Sequence, residues 1–282
     1  MESFLLITNR HKDKELAFTN EIKSYLESKN KSVKVMVPEN RTSGNLLEDG
    51  ELFDCIVVLG GDGTILRTAK LIENSHIPMI GINMGHIGYL AEVERENYQE
   101  VMDALCDNTF ELEDRMMLSG HVIRDGKVIF EADALNDVVI TRGGFLQVLN
   151  YEISVNGKVL KQYKADGVIL ATPTGSTAYN LSAGGPVIAP GADVCVVTPI
   201  SPHTMMNKSF VLRADNEVSV RILAPHSADL EQLVEVNFDG CDRVKLQEND
   251  CVVVSKSEKT VTLIRMNQLS FLETLHRKMI EE

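Results

Sequence analysis

A single carboxylate, that of Asp62, stands among three glycines in Gly60-Gly61-Asp62-Gly63-Thr64. Glycines at the end of an apolar strand let backbone N–H groups approach a ligand, and the following helix turns its positive end to the same place. Phosphate oxygens suit such a nest. Thr64 is placed to cap the helix. An acid there should repel phosphate, and two readings account for it. Asp62 is either a turn residue bonding local N–H groups or a general base facing a hydroxyl that attacks the bound phosphate. In the second case Mg²⁺ or another divalent cation offsets the summed negative charge. The block is not the dinucleotide fingerprint, because Leu66 holds the third glycine position, and no GK[ST] triplet occurs in the chain.

A second polar block runs from Lys164 to Pro186, "KADGVILATPTGSTAYNLSAGGP". A strand over 168–171 leads into Thr172-Pro173-Thr174-Gly175, and the pattern predicts a helix from Ser176 or Thr177 to Gly184-Gly185-Pro186. Hydroxyls at Thr172, Thr174, Ser176 and Thr177 then gather at a helix N-terminus with Asp166 upstream and Tyr179 and Ser182 a turn further on. This predicts a platform for a polar ligand. A well-capped helix needs only one or two of those hydroxyls.

The elements that must carry these blocks follow from periodicity. "FLLITN" (4–9), "SVKVMV" (32–37), "DCIVVL" (54–59) and "PMIGIN" (78–83) read as strands. Between and after them lie helical patterns at 12–30, about 64–74 and about 97–107. Strands alternating with helices predict an α/β domain with a parallel, doubly wound sheet over residues 1–110. Beyond Glu111 the pattern shifts to period two, with hairpin signals at "RDGK" (124–127), "VNGK" (155–158) and "FDGC" (238–241). A β-rich, sandwich-like second domain is expected over 111–265, with a C-terminal helix at about 266–282 returning to the first domain.

The totals narrow the function classes. The 282 residues carry a formal net charge of −13, which argues against nucleic acid or an anionic membrane as partner. The apolar run after Ser3 is too short for a signal peptide, and no run nears the about 18 apolar residues of a membrane span. Five cysteines without CxxC spacing read as reduced thiols of a cytoplasmic protein. Seven histidines form no HExxH or other ligand cluster, so no metal site is expected from a protein motif.

"GGDGT" resembles the wider group that includes diacylglycerol, sphingoid-lipid and 6-phosphofructo-kinases. "ADGVILATPTGSTAYNLSAGGP" is more specific and resembles the NAD kinases, as do "GINMGHIGYLAE" (81–92) and "ALNDVVITRG" (134–143) in the same order. The resemblance spans about residues 55–265. It implies phosphorylation of the 2′-hydroxyl of the adenosine ribose of NAD to NADP, with ATP as donor and polyphosphate as an alternative donor. It further implies Mg²⁺ carried on the phosphates and a homodimer or homotetramer.

Residue by residue, the resemblance makes Asp62 the base, with Gly63 beside it and Gly60, Gly61, Gly63 and Thr64 forming the donor loop. Arg67 matches the arginine of the family's GGDGTxLR pattern; on its own it reads as a helix-surface residue. Tyr89 matches an aromatic that lies against the nucleoside, and Asn136 and Asp137 match a pair contacting adenine and the ribose hydroxyls. An amide suits a purine edge, and a carboxylate can accept from two sugar hydroxyls. Asp166 matches the acid near the nicotinamide riboside. Thr177, Ala178, Tyr179 and Ser182 match the dinucleotide groove, and Lys164 a frequent basic position. Asp239 matches a late acidic position, although Cys241 stands where glutamine is common. A lipid kinase of the wider group would need an acyl pocket, against which the hydroxyl-rich stretch argues. A non-catalytic NAD sensor would gain nothing from Asp62 beside phosphates.

Overall fold

The apolar strands expected near the N-terminus form a parallel sheet. The computed structural model describes residues 1–38, 47, 51–72, 76–85, 88–91, 93–144, 148–204, 208–225, 233–266 and 270–281, with side chains of the last helix to 277. Its chain divides into two units, Met1–Asp114 with Val261–Glu282, and Arg115–Thr260.

In the first unit the elements are β1 (Ser3–Thr8), α1 (Ala17–Ser28), β2 (Ser32–Met36), β3 (Cys55–Gly60), α2 (Asp62–Leu71), β4 (Met79–Asn83), β5 (Val93–Glu94) and α3 (Tyr98–Cys106). Strand order is β2-β1-β3-β4, all parallel, with β5 added beside β4. β3 is buried along its whole length, as a strand covered on both faces must be. Phe18, Ile22 and Leu26 of α1 and Val101, Met102 and Leu105 of α3 close the core against Phe4, Leu6, Val57 and Ile82. The chain leaves β1 to one side to form β2 and returns on the other to form β3. The order therefore reverses between β1 and β3, and the crevice at the carboxyl ends of those two strands is where open α/β sheets bind ligands.

The second unit is all β apart from one helical segment. It holds β6 (Glu111–Arg124, from Arg115 on), β7 (Lys127–Ala134), β8 (Asp137–Arg142), β9 (Leu149–Val155), β10 (Lys158–Ala165), β11 (Gly167–Ala171) and α4 (Tyr179–Ser182). β12 (Val194–Ile200), β13 (Phe210–Arg213), β14 (Val218–Ile222), β15 (Val234–Phe238), β16 (Asp242–Leu246) and β17 (Cys251–Arg265, to Thr260) complete it, and α5 (Phe271–Glu281) belongs to the first unit. One antiparallel layer runs β10-β9-β14-β17, and the other runs β13-β12-β11-β8-β15-β16. Tyr151, Ile153, Val218, Val220, Val252 and Val254 face Val138, Ile140, Val168, Leu170, Val236 and Phe238 in the core of this sandwich.

The three hairpin signals make the turns expected of them. Asp125-Gly126, Asn156-Gly157 and Asp239-Gly240 all have positive φ at both residues, the type I′ geometry that matches strand twist. Two helix starts differ from the sequence pattern. α1 begins at Ala17 rather than near residue 12, because Glu15 and Leu16 have φ of 59° and 56° and the buried Asp13 carboxylate accepts the Phe18 and Thr19 N–H groups. α2 begins at Asp62, two residues before the expected start, and residues 73–74 of its expected end lie outside the described residues. Among the described residues no helix is long and apolar enough to cross a membrane.

Candidate active site

The glycine loop sits where β3 ends and α2 begins, at the β1/β3 reversal, and each of its glycines has a different reason to be there. A Cβ on Gly60 would lie 2.3 Å from Thr64 Oγ1, so this position is closed by the helix itself. A Cβ on Gly61 would meet only the Lys12 ammonium group, at 3.1 Å, and one on Gly63 would meet nothing. Thr64 is not the cap expected from the sequence: Gly61 is the cap residue, and Thr64 is buried in the first turn with its side chain against Gly60. Its N–H and that of Ile65 both bond the Gly61 carbonyl, at 2.8 and 3.3 Å.

Asp62 opens the helix, where a negative group is favoured by the helix dipole. Its carboxylate does not bond the local turn. Tyr89 N–H donates to Oδ2 at 2.8 Å, and Leu90 and Ala91 N–H donate to Oδ1 at 3.1 and 3.0 Å. Three successive amides of a distant segment are thus gathered on one carboxylate. A carboxylate has about four acceptor sites, so about one remains, on Oδ2. Gly88 makes the approach possible, since a Cβ there would lie 1.8 Å from Asp62 Oδ1. Tyr89, on the gripped segment, is half-buried, Arg67 is exposed one turn and a half along α2, and His86, Ile87 and Glu92 of the same motif lie outside the described residues. Asn83, at the end of β4, accepts Gly85 N–H at 2.9 Å and lies opposite Gly60 in the β3–β4 register.

The second unit repeats the device. Asp239, in the β15–β16 turn, accepts Leu135 N–H on Oδ2 at 2.7 Å and the Asn136 and Asp137 N–H groups on Oδ1 at 2.8 and 3.0 Å. The Asn136-Asp137 pair is therefore fixed by a residue about a hundred positions away. Gly175 packs under it: a Cβ at 175 would lie 2.0 Å from the Asn136 carbonyl oxygen. The Asn136 Oδ1 atom is buried without a hydrogen-bond partner, a costly state for an amide oxygen unless a ligand donates to it. Asp137 is buried beside the Asp239 charge, and desolvation first, that charge second, push its carboxyl up to about 7.

The hydroxyl cluster reads differently in space than in sequence. Thr172 Oγ1 donates to the Leu135 carbonyl at 2.6 Å and accepts Gly175 N–H. Ser176 Oγ donates to the Pro173 carbonyl and accepts Ile188 N–H, and Thr174 Oγ1 accepts from the buried Arg115. These three buried hydroxyls hold the loop together rather than offering themselves to a ligand. The expected helix is also shorter and broken: a 3-10 turn spans Thr174–Thr177, Ala178 departs from helical geometry at ψ −129°, and α4 spans only Tyr179–Ser182. What faces outward is its rim, with Thr177 and Ala178 half-buried and Tyr179 and Ser182 exposed. Asp166 is paired with Arg142, whose Nε donates to Oδ1 at 3.0 Å, and Lys164 is exposed.

Sequence reasoning did not single out Lys12, Gly88 or Arg142. The signal for Lys12 was the polar run "TNRHKD" directly after the first strand of a doubly wound sheet, where such sheets bind ligands. Among the described residues no group of three or more carboxylate, histidine or cysteine side chains is placed to hold a metal ion.

Two family models match the chain, the ATP-NAD kinase N-terminal domain over residues 8–110 and the ATP-NAD kinase C-terminal domain over residues 135–266. The NAD kinase of Agathobacter rectalis is 40% identical over 283 aligned residues, covering 99% of both chains. That of Lachnoclostridium phytofermentans is 37% identical with the same coverage. The crystal structure of yeast NADH kinase complexed with NADH is similar at a TM-score of 0.82 and 24% identity, over 98% of this chain and 86% of that one. An NAD kinase from Archaeoglobus fulgidus in complex with ATP is similar at a TM-score of 0.78, 24% identity and 99% of both chains. These two structures share its fold.

Proposed function

This chain belongs to the ATP-NAD kinase family, and from that premise we propose how its residues carry the reaction. The enzyme transfers the γ-phosphoryl group of ATP to the 2′-hydroxyl of the adenosine ribose of NAD, giving ADP and NADP. In our reading Asp62 takes the hydroxyl proton. The observation that carries this is its carboxylate: three amides hold it at the mouth of the glycine loop, and about one acceptor site is left for a hydroxyl.

Gly60, Gly61, Gly63 and Thr64 form the donor loop in this proposal, and Arg67, exposed on the helix that follows, is an NAD-binding residue. Asn136 takes the adenine edge, and its unpartnered buried Oδ1 supports that role. Asp137 takes ribose hydroxyls. Tyr89 lies against the nucleoside, Thr177, Ala178, Tyr179 and Ser182 line the dinucleotide groove, and Asp166 and Lys164 belong to the nicotinamide side. Asp239 serves the site by orienting Asn136 and Asp137 rather than by contact. Magnesium would be carried chiefly on phosphate oxygens of the donor. It would neutralise charge on the transferring phosphoryl group. Five free cysteines, two of them buried, support a reducing, cytoplasmic setting, and a homodimer or homotetramer is the proposed assembly.

Purified protein assayed with ATP and NAD, coupled to a dehydrogenase specific for NADP, tests the reading. NADP should form with ATP and NAD together and with neither alone; binding of NAD without NADP formation would overturn it.

A further inference from the structure

We propose that Lys12 is a substrate-binding residue of this kinase, its ammonium group taking phosphate oxygens of the donor triphosphate above the Gly60–Gly63 loop. The inference rests on the proposed kinase function and adds to it a residue that lies outside the glycine block.

Three features of the fold lead there. The first is topology: Lys12 follows β1 and the glycine loop follows β3, so the two segments leave the sheet on either side of its order reversal. The second is position. Lys12 Nζ lies 3.1 Å from where a Gly61 Cβ would be and 3.8 Å from where a Gly85 Cβ would be, so the ammonium group hangs over two glycines whose missing side chains leave it room. The third is the way the segment is held. Asn9 N–H donates to the Leu59 carbonyl at 3.1 Å, tying the segment to the end of β3, just before the loop. The Asn9 carbonyl accepts Lys12 and Asp13 N–H, both at 2.9 Å, and its side-chain oxygen accepts His11 N–H at 3.0 Å. The buried Asp13 carboxylate then locks the far side onto the start of α1. The backbone that presents Lys12 is thus fixed on both sides.

The ammonium group itself is exposed, and among the described residues it has no ion-pair partner, in a chain with 41 acidic residues. A cation fixed by its backbone, facing glycines and lacking a carboxylate, suits a polyanion that arrives from solution. In the reaction a bond forms between the γ-phosphorus and the ribose 2′-oxygen, the bond to the β–γ bridging oxygen breaks, and the hydroxyl proton passes to Asp62. Lys12 forms no covalent bond. It offsets negative charge on the phosphates throughout.

Full-length Lys12→Ala and Lys12→Arg proteins decide the matter. Loss of one charge-assisted contact predicts a rise of about ten- to a hundredfold in KM for ATP in Lys12→Ala. KM for NAD should stay within about twofold and Tm should not move. Lys12→Arg should recover most of the affinity. Calorimetric Kd for a non-hydrolysable ATP analogue with Mg²⁺ should rise in the same proportion. A wild-type Kd and KM for ATP in Lys12→Ala, or equal rises for both substrates with a falling Tm, would overturn the assignment. Should the wild-type protein form no NADP, the kinase reading fails separately, and the analogue binding of wild type against Lys12→Ala still decides the role of Lys12.

Discussion

Replacing Asp62 by asparagine tests fold and chemistry at one atom. The carboxylate serves Tyr89 N–H with Oδ2 and Leu90 and Ala91 N–H with Oδ1. An asparagine can keep only one of those oxygens. Its best orientation keeps the oxygen on Leu90 and Ala91 and turns the NH₂ group against the Tyr89 N–H, so one charge-assisted bond is lost and two become neutral. The first loss alone costs on the order of 1.5–3 kcal/mol. At roughly 2–4 °C per kcal/mol for chains of this size, Tm should fall by about 3–12 °C. The chemical step should suffer more. Removing a general base slows turnover by about 10²–10⁴-fold, while NAD affinity stays within a few-fold of wild type. Gly88→Ala is the control, because its Cβ would push on Asp62 Oδ1 while leaving a carboxylate in the protein. Melting curves and kcat at 25 °C on both variants separate the two roles. If Asp62 only grips the 89–91 segment, the two variants lose activity in proportion to Tm. An Asp62→Asn protein that melts lower yet turns over within about tenfold of wild type refutes the base assignment.

Asp137→Ala should raise KM for NAD by roughly ten- to a hundredfold when assayed above pH 7, where the wild-type carboxyl is ionised, through one lost charge-assisted hydrogen bond, and an unchanged KM there would place Asp137 outside the ribose contacts. The folded-state carboxyl of Asp137 is pushed up to about 7 from 3.8, so the native protein binds the extra proton. The stability this gives is present below about pH 4 and is lost as pH rises through 7, a loss on the order of 4 kcal/mol. Asp137→Asn should therefore flatten the fall in urea midpoint between pH 5 and pH 8. Excess chelator should abolish NADP formation and Mg²⁺ or Mn²⁺ should restore it, measured by the coupled assay with contaminating metal removed. Gly60→Ala should destabilise or prevent folding, because its Cβ would meet the Thr64 side chain at 2.3 Å. Gly61→Ala, at φ −127° with only the end of Lys12 nearby, should keep Tm and lose ATP affinity.

The sequence carried the parts of this fold that depend on local rules. Period-two and period-3.6 patterns separated an α/β first part from a β-rich second part. The Asp-Gly and Asn-Gly pairs announced three hairpins, because their turns require positive φ at both positions. Helix starts were read less well. The cap of α1 comes from Asp13, four residues ahead of the first helical residue, and no short-range pattern marks it. The hydroxyl-rich stretch misled for a related reason. Thr172, Thr174 and Ser176 have the composition of a ligand surface, but the strand preceding them is buried on both faces, so the loop enters an interior where each hydroxyl must find an internal partner.

The acid in the glycine loop marks the limit of local reading most clearly. Charge and spacing pose its problem as a choice between local turn and base, because those are the only partners a nearby stretch of sequence contains. Its actual partners are amides 27 to 29 residues further on, and those of Asp239 are amides 102 to 104 residues back. Both acids solve the same physical problem. A loop that must present side chains to a ligand has backbone N–H groups with no strand or helix to satisfy them, and three of these left unpaired would each cost about 1–3 kcal/mol where buried. One carboxylate satisfies all three and fixes the segment. Asp239 thereby orients Asn136 and Asp137, while Asp62 fixes the backbone of Tyr89. The two acids differ in their chemistry. Asp239 orients other groups and has no reacting atom of its own in this scheme, whereas Asp62 keeps about one acceptor site open at the mouth of the loop. Stability and turnover should therefore separate at Asp62 and fall together at Asp239.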